Sequence, residues 1–178
     1  MIPIVVFSSE KFALQLQKTL SEIYELSFVS EKKIIINNSA QFILVVKQRI
    51  ETDMEADGVF VVCDKGKCGC ECGFDSIAIV DSSNKSLKNF LLDCETEYIT
   101  CGMNSKDTIS FSSIHEQEVT VSVMRTIKDI NGNTIEPFET TIISKSDISK
   151  YSPFYLLSLV ALVSILGNDL DGNKLVIE

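Results

Sequence analysis

Cys63, Cys68, Cys70 and Cys72 crowd into the segment "CDKGKCGCECG". Thiolates this close suggest metal binding or redox chemistry. Their spacing is C-x4-C-x-C-x-C, whereas structural zinc takes pairs of the C-x2-4-C type, each forming a tight knuckle. In an extended segment alternate residues share a face with Cα atoms about 6.5–7 Å apart. The thiols would meet one ion only if the chain bent at Gly69 or Gly73, with Cys94 or Cys101 approaching from elsewhere. The competing reading is a glycine-containing turn with small side chains packed inward, since free cysteine is among the most buried residue types. A phosphate loop is excluded, because glycines are too few and no hydroxyl follows Lys67.

The remaining candidates are sparser. His115 is the only histidine, so any histidine-centred triad or base must use it. It lies in "SSIHEQE", a turn between strands, beside Glu116 and Glu118, where a solvated role is expected. Ser112 and Ser113 lack the flanking glycines of a nucleophile elbow and read as strand residues. Ser8 and Ser9 follow the first strand. Asp81, Ser82, Ser83 and Asn84 stand at the carboxyl end of another strand, the edge where ligands of open α/β sheets bind, though the same residues serve as helix caps. "GMNSKD", with Asn104 and Lys106, is a further strand-end turn. Arg125 and Glu136 flank a hairpin, where they either pair across strands, worth about 0.2–1 kcal/mol, or mark a contact surface. The acidic residues are dispersed along the chain, with no pair at a spacing that compels a hydrolase or magnesium site.

The elements that must position these groups are legible in the hydrophobic pattern. "IPIVVF", "GVFVVC" and "SIAIVD" are continuous apolar runs of the kind buried on both faces of a parallel sheet. "ELSFVS", "KKIIIN", "QFILVV" and "EYITCG" are further strands. Between the first two lies a helix, "SSEKFALQLQKTL", capped by Ser8 or Ser9, with Phe12, Leu16, Leu20 and Ile23 at helical spacing. "SSNKSLKNFLLDC" reads as a second helix. From Thr108 the pattern becomes strict alternation: Val119, Val121 and Val123 on one face, Thr120 and Ser122 on the other. Asn131-Gly132 is a strong hairpin signal, both residues tolerating positive φ. A final helix opens with Ser152 as cap and Pro153 in its first turn, and stops at Gly167. Only Ser158 and Ser164 interrupt its apolar surface, so it must be enclosed nearly all round. No internal repeat is evident.

The expected fold is therefore one α/β domain over residues 1–178: a mostly parallel sheet flanked by helices (1–107), then an antiparallel β ribbon and a buried C-terminal helix (108–178). A net charge of −9 over 178 residues argues against a nucleic-acid partner, which needs a lysine and arginine field. "MIPIVVFSSEKF" is not a signal peptide, and "PFYLLSLVALVSIL" is too short to cross a bilayer. The expected location is cytoplasmic, with cysteines as thiols and no membrane partner.

The order of "AIVDSSN", "KSLKNFLLDC", "EYITCGM", the antiparallel ribbon and "SPFYLLSLVALVSILG" resembles the later half of the central domain of the Mur ligases. These are bacterial-type ATP-dependent enzymes of peptidoglycan synthesis, related to the folylpolyglutamate synthases. The resemblance covers roughly residues 75–167. It implies an ATP site built on a Gly-rich loop after the first strand, ending in Gly-Lys-Thr or Gly-Lys-Ser. This chain instead reads "VVFSSEKFAL", with no glycine to wrap a phosphate and with Glu10 to repel one. The family's Asn and His at the start of the last apolar helix are also replaced, by "SPFYLL". The resemblance therefore implies a shortened, non-catalytic relative with no cofactor, binding a small ligand or a protein partner at Ser8, Ser9, Asp81, Asn84 and Asn104. Two alternatives stand beside it: a metal or redox protein using Cys63, Cys68, Cys70 and Cys72, and an enzyme with its site at the strand-end turns. An exposed ribbon edge is also the kind of surface that pairs with another copy, giving a homo-oligomer.

Overall fold

A computed structural model describes residues 1–47, 58–62, 76–84 and 97–178, and the chain gathers into two compact units, Met1–Tyr98 and Ile99–Glu178. The cysteine cluster at 63–72 and the helix expected after Asn84 lie outside the described residues.

In the first unit the described elements are β1 (Ile2–Phe7), α1 (Glu10–Leu20), β2 (Leu26–Val29), β3 (Ile34–Ile35), β4 (Phe42–Lys47), β5 (Val59–Val62) and β6 (Ile77–Asp81). Across the sheet their order is β6-β5-β1-β4-β2-β3. All pairings are parallel except β2 with β3. Ile4, Val5 and Val6 of β1 are each at most 1% exposed, as a continuous apolar run between two covered faces requires. Gly58 leads into β5 where the backbones run close: a Cβ built there would lie 2.6 Å from the Pro3 carbonyl oxygen.

Helix α1 begins at Ser9, whose Oγ accepts from the Phe12 N–H at 3.3 Å. Phe12, Ala13, Leu16 and Leu20 form its buried stripe, and burying a leucine contributes roughly 1.5–3 kcal/mol. Ile23 falls beyond the helix: after Leu20 the chain tightens into a turn in which Ile23 and Tyr24 N–H both donate to the Leu20 carbonyl. Tyr24 then meets Phe42 edge to face at 5.2 Å.

β7 (Glu97–Cys101) runs into the second unit, followed by β8 (Ile109–Ile114), β9 (Glu118–Val123), β10 (Ile127–Lys128), β11 (Thr134–Ile135), β12 (Phe138–Ser144), a 3-10 turn (Ile148–Lys150), α2 (Pro153–Ile165) and β13 (Lys174–Ile177). The sheet order there is β13-β12-β9-β8-β7. β8, β9 and β12 are antiparallel, with Val119, Val121 and Val123 inward as their alternation dictates. A bulge falls between Phe111 and Ser113.

The Asn131-Gly132 turn belongs to a separate two-stranded piece, β10–β11. Only Gly132 takes positive φ there (+80°), and no non-glycine residue among those described does. Gly132 N–H closes on the Asp129 carbonyl and Asp129 N–H on the Asn133 carbonyl, the geometry of a type I turn followed by a glycine bulge rather than a two-residue loop.

Every residue of α2 from Phe154 to Ile165 is buried. Ser152 Oγ accepts from Tyr155 N–H at 3.2 Å. The two serines inside the helix donate to its own carbonyls, Ser158 to Tyr155 and Ser164 to Val160, so neither hydroxyl is stranded in an apolar environment. Gly167, at φ +94°, ends the helix: its N–H donates to Ser164 O and the Asn168 N–H to Val163 O, the two bonds of a Schellman motif. β13 was not apparent in the sequence; it returns after α2 to pair parallel with β12. The result is the expected α/β class: mostly parallel strands, an antiparallel portion and a buried final helix.

Candidate functional site

The carboxyl ends of β1 and β6 carry four of the candidate residues. Phe7 pairs with Val62, and Val62 with Val80, so Ser8 and Asp81 leave the sheet at the same level. One strand separates them, which puts their backbones about 9.5 Å apart at two inter-strand spacings. The chain leaves β1 toward β2 on one side and β5 toward β6 on the other. The edge between β1 and β5 is therefore a topological switch point, where open α/β sheets place ligands.

Ser8 is half-buried and Ser9 exposed. Ser9 serves as the cap of α1, so its oxygen is already engaged with the helix backbone. Glu10 turns away from that cap. Its Oε1 accepts from Ser30 Oγ at 3.1 Å and its Oε2 pairs with Lys32 Nζ at 2.9 Å. Ser30 also accepts from the N–H groups of Lys32 and Lys33, which fixes the turn from β2 to β3. The Lys32 hydrogen bond, outweighing the opposing effect of burial, holds the Glu10 carboxyl below its ordinary value and therefore ionised. Lys47, exposed at the end of β4, stands in register with Phe7.

Asp81 and Asn84 close a turn on themselves. Asp81 Oδ1 accepts from Ser83 N–H at 2.8 Å, and its carbonyl accepts from Asn84 N–H at 3.0 Å. Asn104 lies in the second unit, exposed on the turn from β7 to β8. Its N–H donates to Asp107 Oδ2 at 2.8 Å and its carbonyl accepts from Asp107 N–H at 2.9 Å. That reciprocal pair explains how Asp107 is tolerated at 4% exposure.

Ser112 and His115 stand where the sequence put them, in a strand and in a solvated turn, whereas Glu136 has a different partner. Ser112 sits at the β8 bulge and donates to Glu139 Oε1 at 2.6 Å. Ser122 donates to the same oxygen at 2.5 Å and is also in contact with Ser112. The Ser112 and Ser122 hydrogen bonds keep the Glu139 carboxyl below its ordinary value, making it a poor proton acceptor and the trio a cross-strand clamp. Glu136 accepts from Thr126 at 3.4 Å, not from Arg125. His115 is exposed in the β8–β9 turn, its backbone N–H on the Glu118 carbonyl.

Cys101 is a buried thiol, and no cluster of three or more metal-type ligands exists among the described residues. At the amino end of β6, Ser76 Oγ is buried with no hydrogen-bond partner among them. The signal missed in the sequence is a pair of like-spaced turns, Asp129-Ile130-Asn131-Gly132-Asn133 and Asp169-Leu170-Asp171-Gly172-Asn173, whose acids line one cavity. No helix among the described residues is long and apolar enough to cross a membrane.

No known protein family's sequence pattern matches the chain, and no curated protein matches it in sequence. Solved structures do resemble it. The murein peptide ligase Mpl of Psychrobacter arcticus 273-4 superposes with a TM-score of 0.59 at 8% identity, over 96% of this chain and 44% of that one. The UDP-N-acetylmuramate:L-alanyl-gamma-D-glutamyl-meso-diaminopimelate ligase of Neisseria meningitides gives 0.60 at 11%, over 96% and 62%. MurF of Acinetobacter baumannii gives 0.57 at 10%, over 95% and 43%. The chain thus spans between 43% and 62% of the length of these ligases, and its fold is Mur-ligase-like.

Proposed function

We propose that this chain is a non-catalytic binding protein on a Mur-ligase-like scaffold. Its ligand, a small molecule or a partner segment, would be met at the strand-end turns of the first unit, at Ser8, Ser9, Asp81 and Asn84; the Asn104 turn of the second unit is a separate candidate of the same kind. The observation that carries this reading is the state of the β1–α1 junction. A triphosphate loop needs successive backbone N–H groups wrapped about an anion, and glycine to allow the wrap. This junction has no glycine, its serine is committed to capping α1, and its first helical residue is an ionised carboxylate anchored by Ser30 and Lys32. Lys47, exposed in register with Phe7, does not replace that cradle.

The test is a thermal melt with ATP and magnesium. The expected result is no change in the melting temperature at millimolar nucleotide. Occupancy at about a hundred times Kd would add about 2.7 kcal/mol, so a saturable, magnesium-dependent rise would overturn the reading.

A further inference from the structure

The second unit contains a cavity of about 360 Å³ between the β10–β11 turn and the loop joining α2 to β13, within the size range of small-molecule sites. Asp129, Glu136, Asp169 and Asp171 contribute to its wall, Pro137 and Phe138 add apolar surface, and no lysine, arginine or histidine lines it. None of the four carboxylates forms an ion pair among the described residues.

The two walls are pre-organised. Asp129 Oδ1 accepts from the N–H groups of Asn131 and Asn133 at 2.8 and 2.7 Å, and its Oδ2 from Asn133 Nδ2 at 2.8 Å. Asp169 Oδ1 accepts from Asp171 N–H at 3.0 Å. The glycines of both turns take positive φ, +80° at Gly132 and +68° at Gly172. Ile130 N–H donates to the Ile165 carbonyl at 2.9 Å, tying the hairpin to the end of α2. Ser164, 2% exposed at the cavity, donates its proton to Val160 O, so toward a ligand it can only accept. The wall therefore offers acceptors and negative charge beside an apolar surface. Its carboxylates are not gathered closely enough to form a metal cluster.

We propose that this cavity binds a protonated alkyl amine, its ammonium among the carboxylates and its stem against Pro137 and Phe138. The amine could be a free diamine or a lysine side chain. The test is titration of the whole protein with 1,5-diaminopentane, with Nα-acetyl-lysinamide and with neutral 1,5-pentanediol, followed by amide NMR. Both amines should give saturable shifts at Asn131, Gly132, Asn133 and Gly172, and the diol none; the tighter of the two assigns the source.

Asp171→Asn combined with Glu136→Gln changes two exposed side chains, so the fold should survive, as circular dichroism would verify. Binding should weaken by about tenfold or more, while Glu139→Gln, outside the cavity, should leave it unchanged. Equal shifts with the diol, wild-type affinity in the double variant, calcium outcompeting the amine at equal concentration, or no saturable shift at about 10 mM amine would each overturn the assignment.

Discussion

Glu10 and Glu139 are exposed enough to be solvated, yet each is committed to partners, and the commitment depends on charge. The Glu139 carboxyl is lowered from its ordinary 4.5 by the hydroxyls of Ser112 and then Ser122. A lowered folded-state value means that the ionised form is the one the fold favours. The stabilisation is therefore complete above the unfolded value and is lost as pH falls through the folded value. Glu139→Gln should melt below wild type at pH 7, and the gap should close as pH drops below 4.5; thermal melts of both proteins across pH 2–7 check this, and a gap that stays constant would mean the hydroxyl contacts act without regard to charge. At this scale the sequence was a partial guide. It offered Ser8 or Ser9 as a cap and the structure selects Ser9. It offered Arg125 as one candidate partner of Glu136, but the partner is Thr126, because a cross-strand neighbour depends on a register that two-residue strands do not reveal in advance.

Among the elements, close approach of backbones is the less forgiving constraint. Gly58 sits where a Cβ would press on the Pro3 carbonyl at 2.6 Å and on the Pro3 ring at 2.8 Å. Because the clash is with backbone, a flexible side chain cannot swing away. Gly58→Ala should therefore destabilise the protein by about 1–3 kcal/mol, measured as a lower urea midpoint with an unchanged slope. Strands and helices were the most legible part of the sequence, since their signals are local: the apolar run of β1, the alternation of β9, the cap and stop of α2. β13 escaped because "KLVI" is short and its partner is far away in sequence. The Asn131-Gly132 hairpin was located correctly, but of the two residues only Gly132 takes positive φ, in a turn where Asp129 gathers the N–H groups of Asn131 and Asn133.

For the molecule as a whole, the architecture tolerates nearly complete replacement of side chains: TM-scores of 0.57 to 0.60 accompany identities of only 8 to 11%. What such a fold requires is hydrophobic period and chain order, both readable in one sequence, whereas a ligand depends on a few atoms brought together from distant turns. That is why the acid-lined cavity did not appear in the sequence, although its two Asp-containing turns are spelled almost identically. The net charge of −9 is a property of the whole chain, and it should keep duplex DNA away even where counterion release is most favourable. Fluorescence anisotropy with a labelled duplex at about 50 mM salt should show no binding, and a saturable rise would reveal a local basic face. One last consequence follows from β13. Thr140 on β12 donates to the Asn173 carbonyl, 33 residues along, with the entire apolar helix lying between them. During vectorial synthesis β8, β9 and β12 can zip as neighbours while the flank of β12 waits unzipped. A nascent chain paused after α2 has emerged would present that bare flank and the greasy helix together to the chaperones at the ribosome exit.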